Sequence, residues 1–345
     1  LMNGQYNSLR NDKNYTLTQS TPLPTTWGAQ SRLAREEIIG KEKSLATVRN
    51  DLIFELRDTY DQLLYLRALT GIYVMQDSIF AESALAASKR YKSGESTFLE
   101  KMTTEAQSLA ARNQLSQHEN DIRIQESKLQ RLMYLDRAGI FEGSFSKISV
   151  TVLADTTAVS KNPLIEQYQQ QEKISTQFAR VQRNLLMPDL TFGYFSQSLI
   201  GFQRINNQDT FFDKDKKFTG YMVGFAIPLW ARPQIARAKA AALNARAQHA
   251  QSREIAHGIE SDYLQALQEL EKNSAALNYY ESQANQNAEL IFTQAVIAYR
   301  EGELSYLAFL QSLENALNIK TGYLSAIRKY NQAAIRINYL TGYQN

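Results

Sequence analysis

From Pro233 to Arg300 the chain has no further proline and a single glycine, Gly258. At ~1.5 Å per residue, roughly 68 residues of unbroken helix make a rod about 100 Å long. Helices of globular domains average ~11–12 residues, so no ordinary core needs such a rod. An aromatic-rich strand, Phe218 to Leu229, leads into it and ends at Trp230. The rod stops at Tyr299-Arg300-Glu301-Gly302-Glu303-Leu304-Ser305-Tyr306-Leu307, and an amphipathic helix returns to Leu340.

This arrangement occurs twice. Thr21-Pro22-Leu23-Pro24 aligns with Ile227-Pro228-Leu229-Trp230, Tyr91, Gly94, Glu95, Phe98 and Leu99 with Tyr299, Gly302, Glu303, Tyr306 and Leu307, and Arg131 to Leu135 with Arg336 to Leu340. The three offsets lie between 205 and 208 residues, which marks an internal duplication. The first repeat is residues 1–139: a hairpin at 1–24, a long helix at 28–92 and a return helix at 97–137. In that hairpin Gln5 to Leu9 leads to a polar turn at Arg10 to Asn14, and Tyr15 to Ser20 returns with period-two alternation. Residues 140–161 form an equatorial segment against the rods, with a short β segment at Ile148 to Val152. The second repeat, 162–345, has a helix at 162–186, a hairpin at 190–229, a long helix at 233–300 and a return helix at 305–340. Its hairpin contains a polar loop from Asn206 to Lys217. The helices at 97–137 and 162–186, placed end to end, match the first long helix in length. The second hairpin is preceded by a helix and the first is not, so a further helix is expected upstream.

Composition narrows the function classes. A net charge of +3 is too small an excess to argue for nucleic acid. No apolar run reaches the ~18 residues of a membrane helix; the nearest, Leu63 to Met75, is broken by Arg67 and Gly71. Without cysteine there are no disulfides, thiolate metal sites or thiol nucleophiles. The opening Leu1-Met2-Asn3-Gly4-Gln5-Tyr6 lacks the pattern of a signal peptide.

The strands of the second hairpin are near the ~9–11 residues of a tilted membrane strand. Phe192, Tyr194, Tyr221 and Phe225 stand along them, and both tryptophans, Trp27 and Trp230, sit at strand-to-helix junctions, where an interfacial aromatic belt belongs. The alternative is a pair of water-soluble hairpins with core tryptophans. Four strands per chain leave open edges that hydrocarbon cannot satisfy, so closure must come from other copies. Two copies make a barrel filled by side chains, and three begin to leave a lumen.

These pieces together resemble the TolC family of outer-membrane efflux proteins. The resemblance rests on the paired hairpins, the Ile227-Pro228-Leu229-Trp230 junction, the Asn162-Pro163 helix start, Leu186-Met187-Pro188-Asp189-Leu190 and the two Tyr-x-x-Gly-Glu turns. Gly4-Gln5-Tyr6-Asn7-Ser8 and Gln19-Ser20-Thr21-Pro22-Leu23-Pro24 resemble its heavy-metal (CusC- and CzcC-like) branch, in which the channel is sometimes the fused continuation of a metal-efflux transporter. The resemblance implies an α + β membrane protein: a long α-helical barrel continued by a transmembrane β-barrel, closed by a homotrimer. It implies the exit duct of a tripartite pump, with a periplasmic adaptor (membrane fusion protein), an inner-membrane transporter of the resistance-nodulation-division (RND) type and outer-membrane lipid as partners. Heavy-metal cations are the expected cargo, drugs or secreted proteins the alternative. A periplasmic coiled-coil adaptor or scaffold is the alternative of another class.

As ordinary helix–helix turns, Tyr-x-x-Gly-Glu needs only a left-handed glycine and a glutamate that starts the next helix. The resemblance adds that such tips meet the adaptor and constrict the entrance. Tyr91, Gly94, Glu95, Ser96, Tyr299, Gly302, Glu303 and Ser305 are therefore the candidate contacts. The family's carboxylate ring is missing after the second turn, where Ala308 and Gln311 stand; Glu100 is the nearest substitute, or a solvated charge. His118, His249 and His257 lack the i, i+4 spacing of a helical metal pair. No cofactor and no catalytic set is expected, and no enzyme.

Overall fold

A computed structural model describes residues 12–136, 139, 141–150, 156–227 and 230–342. The elements are β1 (Asn14–Pro22), α1 (Pro24–Lys92), α2 (Phe98–Leu132), a 3-10 turn (Thr156–Lys161) and α3 (Pro163–Asn184). Then come β2 (Asp189–Ser198), β3 (Gly201–Ile205), β4 (Gln208–Phe212), β5 (Lys217–Ala226) and α4 (Arg232–Tyr279). A π-turn (Tyr280–Ala284), α5 (Asn285–Arg300) and α6 (Tyr306–Thr341) complete the chain. Two units form, 1–43 with 167–254 and 44–166 with 255–345, so each takes pieces of both sequence repeats. Among the described residues no helix is long and apolar enough to cross a membrane.

The first unit holds an antiparallel sheet in the order β1-β2-β5. Its register places Leu17, Tyr194 and Tyr221 in one row, then Gln19, Phe192 and Val223, then Thr21, Leu190 and Phe225. Side chains alternate between faces along a strand, so these rows share one face. The other face carries Thr16, Phe195 and Gly220; Thr18, Gly193 and Met222; and Ser20, Thr191 and Gly224. One face is thus apolar and the other mostly small and polar. Among the described residues the apolar one has no core against it: Leu17 is 76%, Tyr221 88% and Phe225 69% exposed.

The second unit is helical. One apolar cluster joins Ile259, Tyr263, Leu270 and Leu277 of α4 to Ile327, Ala334, Ile337 and Leu340 of α6. Another joins Phe80 of α1, Ala111 of α2 and Tyr299 of α5 to Phe309, Leu313 and Leu317 of α6. Beside the first lies a buried polar network. The Arg328 guanidinium donates to Asp61 at 2.8 Å and Asp58 at 2.6 Å, and Asn331 donates to Asp61 at 2.8 Å. Burial raises the Asp61 carboxyl above its ordinary range, against the pull of Asn331 and Arg328. Asn162 caps α3 by accepting from Leu164 N–H at 2.8 Å and donates to the Leu340 carbonyl at 2.8 Å.

Five expectations are corrected. α1 starts at Pro24 rather than Gly28, since a proline suits the first helical position. α2 stops at Leu132 rather than 137, because Tyr134 turns left-handed (φ 52°). The expected polar loop after β2 is largely a second ribbon: Asn206 and Asn207, at φ 51° and 65°, make the tight turn that pairs β3 with β4. Ile148 to Val150 are not a strand; the Ile148 N–H donates to the Asn331 side chain at 2.9 Å, and the Asn331 amide donates to Ser146 O at 2.9 Å. The helix expected at 233–300 is interrupted by the π-turn. The expected strand Gln5 to Leu9, Thr151, Val152, Pro228 and Leu229 lie outside the described residues.

Candidate functional site

The two Tyr-x-x-Gly-Glu turns belong to the second unit and have the same backbone. Gly94 and Gly302 sit at φ +80° and +81°. Gly94 N–H donates to Tyr91 O at 3.1 Å and Gly302 N–H to Tyr299 O at 3.2 Å. Glu95 N–H reaches Arg90 O at 2.8 Å, and Glu303 N–H reaches Ala298 O at 2.9 Å. Each return helix is then capped by a hydroxyl: Thr97 accepts from Glu100 N–H at 3.1 Å, Ser305 from Ala308 N–H at 3.3 Å. A left-handed glycine followed by a hydroxyl cap satisfies the orphan groups of both helix ends within a few residues.

The side chains differ. Gly94, Glu95, Gly302, Glu303 and Ser305 are exposed, Ser96 is half-buried, and Tyr91 is 40% exposed against Phe98. Tyr299 departs from its expected place at the surface: it is only 5% exposed and stacks on Phe309, with centroids 4.3 Å apart and planes 10° apart. In the first repeat the residue 208 positions before Phe309 is Lys101, whose ammonium lies 5.6 Å from the Tyr91 ring. An aromatic partner draws one tyrosine into a core, while a lysine leaves the other at the surface.

Sequence reasoning missed the ties between the two turns. Arg90 stands 5.3 Å over the Tyr299 ring, Glu82 pairs with Arg300 at 2.9 Å, and Tyr306 O–H donates to Gln107. Burial, then Tyr299 and then Glu100, pushes the Tyr306 hydroxyl up to about 12. Burial also raises the Tyr299 hydroxyl, with Arg90 opposing and Glu100 adding to it. Glu100 is half-buried and adds to the raised hydroxyls of both tyrosines.

Trp27 lies in the first turn of α1 and is 51% exposed; Trp230 precedes α4 and is 89% exposed. They follow Pro22 and Ala226, which stand in one cross-strand row with Asp189. Both tryptophans thus come just after the helix-side border of the same sheet. Of the histidines, His118 is buried, with Nε2 2.9 Å from Leu66 O and 3.1 Å from Thr70 Oγ1. His249 contacts Glu172 at 2.9 Å and His257 contacts Glu260 at 3.3 Å. Among the described residues no group of three His, Asp or Glu side chains could hold a metal ion.

Neither a protein-family model nor a curated protein matches the sequence. Solved structures do match. CusC, studied for folding and transmembrane channel formation, superposes with a TM-score of 0.77 at 13% identity, over 96% of this chain and 78% of that one. The outer-membrane protein VceC of Vibrio cholerae gives 0.74 at 18% identity, over 96% and 87%. The outer-membrane channel CmeC of Campylobacter jejuni gives 0.78 at 13%, over 96% and 77%. These neighbours are channels of the TolC family, and this chain has their fold.

Proposed function

We propose that the protein is the outer-membrane exit duct of a tripartite efflux pump and conducts passively as a homotrimer. The observation that carries this reading is the sheet in which Leu17, Phe192, Tyr194, Tyr221, Val223 and Phe225 share one uncovered face while threonine, serine and glycine dominate the other. Contiguous apolar surface of this kind marks an interaction or membrane face, and apolar-out, polar-in alternation is the pattern of a transmembrane barrel strand. β1 and β5 are the sheet's borders among the described residues, and lipid tolerates no open border. With the expected strand at Gln5 to Leu9 as a fourth, three copies would close a barrel and leave a lumen. The likeness to outer-membrane channels over 96% of the chain supports the same reading. Trp27 and Trp230 then form the belt on the periplasmic side.

In this reading the turns are periplasmic tips. Tyr91, Gly94, Glu95, Ser96, Gly302, Glu303 and Ser305 offer exposed or half-exposed surface to an adaptor, and Tyr299 supports them from the core. Glu100, after the first turn, is the nearest substitute for an entrance carboxylate. An inner-membrane RND transporter supplies the energy, and the duct itself performs no chemistry. The cargo is heavy-metal cations, a reading supported by the likeness of residues 4–8 and 19–24 to the heavy-metal branch. Replacing Gly302 and Glu303 by bulky or basic residues should abolish metal export while trimer mass and membrane insertion persist. Unchanged export would refute the tip assignment.

A further inference from the structure

The apolar face of the sheet ends in charge. Away from the tryptophans, its last rows are Tyr15, Ser196 and Thr219, then Lys13, Ser198 and Lys217. Lys13 stands one residue before β1 yet keeps the ladder. Ser198 N–H donates to Lys13 O at 3.0 Å, and Lys13 N–H donates to Ser198 Oγ at 2.9 Å. Alternation puts both lysines on the face of Leu17, Tyr194 and Tyr221. From Lys13 to Thr21 the strand rises by roughly 27 Å. A transmembrane barrel carries an apolar band ~25 Å tall, so the lysines mark one edge of such a band and the tryptophans the other.

A cleft of about 850 Å³ opens at the lysine edge, lined by Lys13, Tyr15, Ser196, Ser198, Lys214 and Lys217. The β3–β4 ribbon adds Phe211 to its wall, and Phe212 packs edge-on against Phe218 of β5 with centroids 5.2 Å apart. Two nearby acids are already engaged. Asp12 accepts from the Ser198 hydroxyl at 3.2 Å and from Ile200 N–H at 2.9 Å. Asp213 accepts from Asp215 and Lys216 N–H at 3.0 and 3.2 Å. Asp215 also borders the cleft, against three lysines. Among the described residues none of those lysines has an ion pair. The balance is cationic, with hydroxyls beside it and an apolar face adjoining.

We propose that this cleft holds the phosphorylated sugar headgroup of an outer-leaflet glycolipid whose acyl chains lie along the apolar face. Lys13 and Lys217, on either side of Ser198, and Lys214 supply ammonium groups to phosphate oxygens. The Tyr15 and Ser196 hydroxyls supply hydrogen bonds to the sugar. A glycerophospholipid headgroup would leave much of the volume empty and offer one phosphate to three cations. The site rests on the channel reading above, because an inserted barrel is what presents this edge to lipid.

Binding of diphosphoryl lipid A to the full chain in detergent micelles, read by native mass spectrometry, tests this. The wild type should retain the lipid, and Lys13→Gln combined with Lys217→Gln should weaken retention by about tenfold or more. Lys239→Gln, exposed on α4, should leave it unchanged. Lipid A stripped of its phosphates should bind the wild type about tenfold more weakly. Equal binding of the stripped lipid overturns the proposal, and this arm decides the matter should the double variant fail to assemble. Equal retention of phosphatidylglycerol would overturn the sugar assignment, and displacement by excess inorganic phosphate would give the cleft to the free anion. A trimer that inserts into bilayers yet holds every lipid equally loses this site and keeps the channel reading. A stable monomer in plain buffer loses both.

Discussion

Gly302→Ala isolates one energetic effect. Gly302 sits at φ +81°, and an added Cβ would meet no atom within 4 Å. No steric clash contributes, so the cost is that of a left-handed L-residue, roughly 1–2 kcal/mol. The strain falls on the turn closed by Glu303 and Leu304 N–H on Ala298 O, at 2.9 and 3.3 Å. Local opening should therefore become about 5- to 30-fold more populated. Native-state hydrogen exchange at Glu303 and Leu304 reads this without unfolding the protein. Gly94→Ala, at φ +80° with equally open surroundings, should speed Glu95 exchange by the same factor. Gly302→Asn should have a smaller effect, because asparagine tolerates this backbone. Gly258→Ala is the control of opposite sign: it too meets nothing within 4 Å, but it lies within α4 without a positive φ. It should slow local exchange, with a gain of about 0.5–1 kcal/mol. If Gly302→Ala leaves Glu303 and Leu304 unchanged, or Gly258→Ala accelerates exchange equally, the backbone argument for both tips fails.

Arg328→Met leaves Asp61, 4% exposed, without its guanidinium, and should cost about 3–5 kcal/mol in denaturant unfolding; a loss under 1 kcal/mol would contradict the network's importance. The Tyr306 hydroxyl is raised from 10 to about 12, so its contribution is full below pH 10 and is lost as pH rises through 12. Tyr306→Phe should flatten the loss of thermal stability across that window, and an equal loss in both proteins would refute the assignment. Ile38, Leu45 and Leu52 recur every seven residues on α1 and are 63%, 70% and 41% exposed, the pattern of a seam between copies. Leu45→Glu should reduce the trimer fraction in sedimentation, whereas an unchanged trimer would place the seam elsewhere.

The rods were readable because their cause is local: steps of three and four apolar residues, few glycines, and Tyr-x-x-Gly-Glu, in which glycine supplies the left-handed cap. The sheet's two faces followed from period-two alternation once the register was known. The π-turn left no mark, since Tyr280-Glu281-Ser282-Gln283-Ala284 are all acceptable in an α-helix and only packing against Gly322 distinguishes them. Tyr91 and Tyr299 carry the same motif but differ in burial because Lys101 meets one ring and Phe309 the other, a pairing ten residues away in sequence. Nothing local marks Arg328 as buried; its partners Asp58 and Asp61 lie some 270 residues earlier, beyond any local pattern.

Shared sheet borders are the claim on which the duct depends, and the mass of the detergent-solubilised protein tests it most directly. Three chains per particle, with aggregation when detergent is withdrawn, is the result expected. A stable monomer in plain buffer would mean that one chain satisfies its own strands, and the pore would be lost with that result.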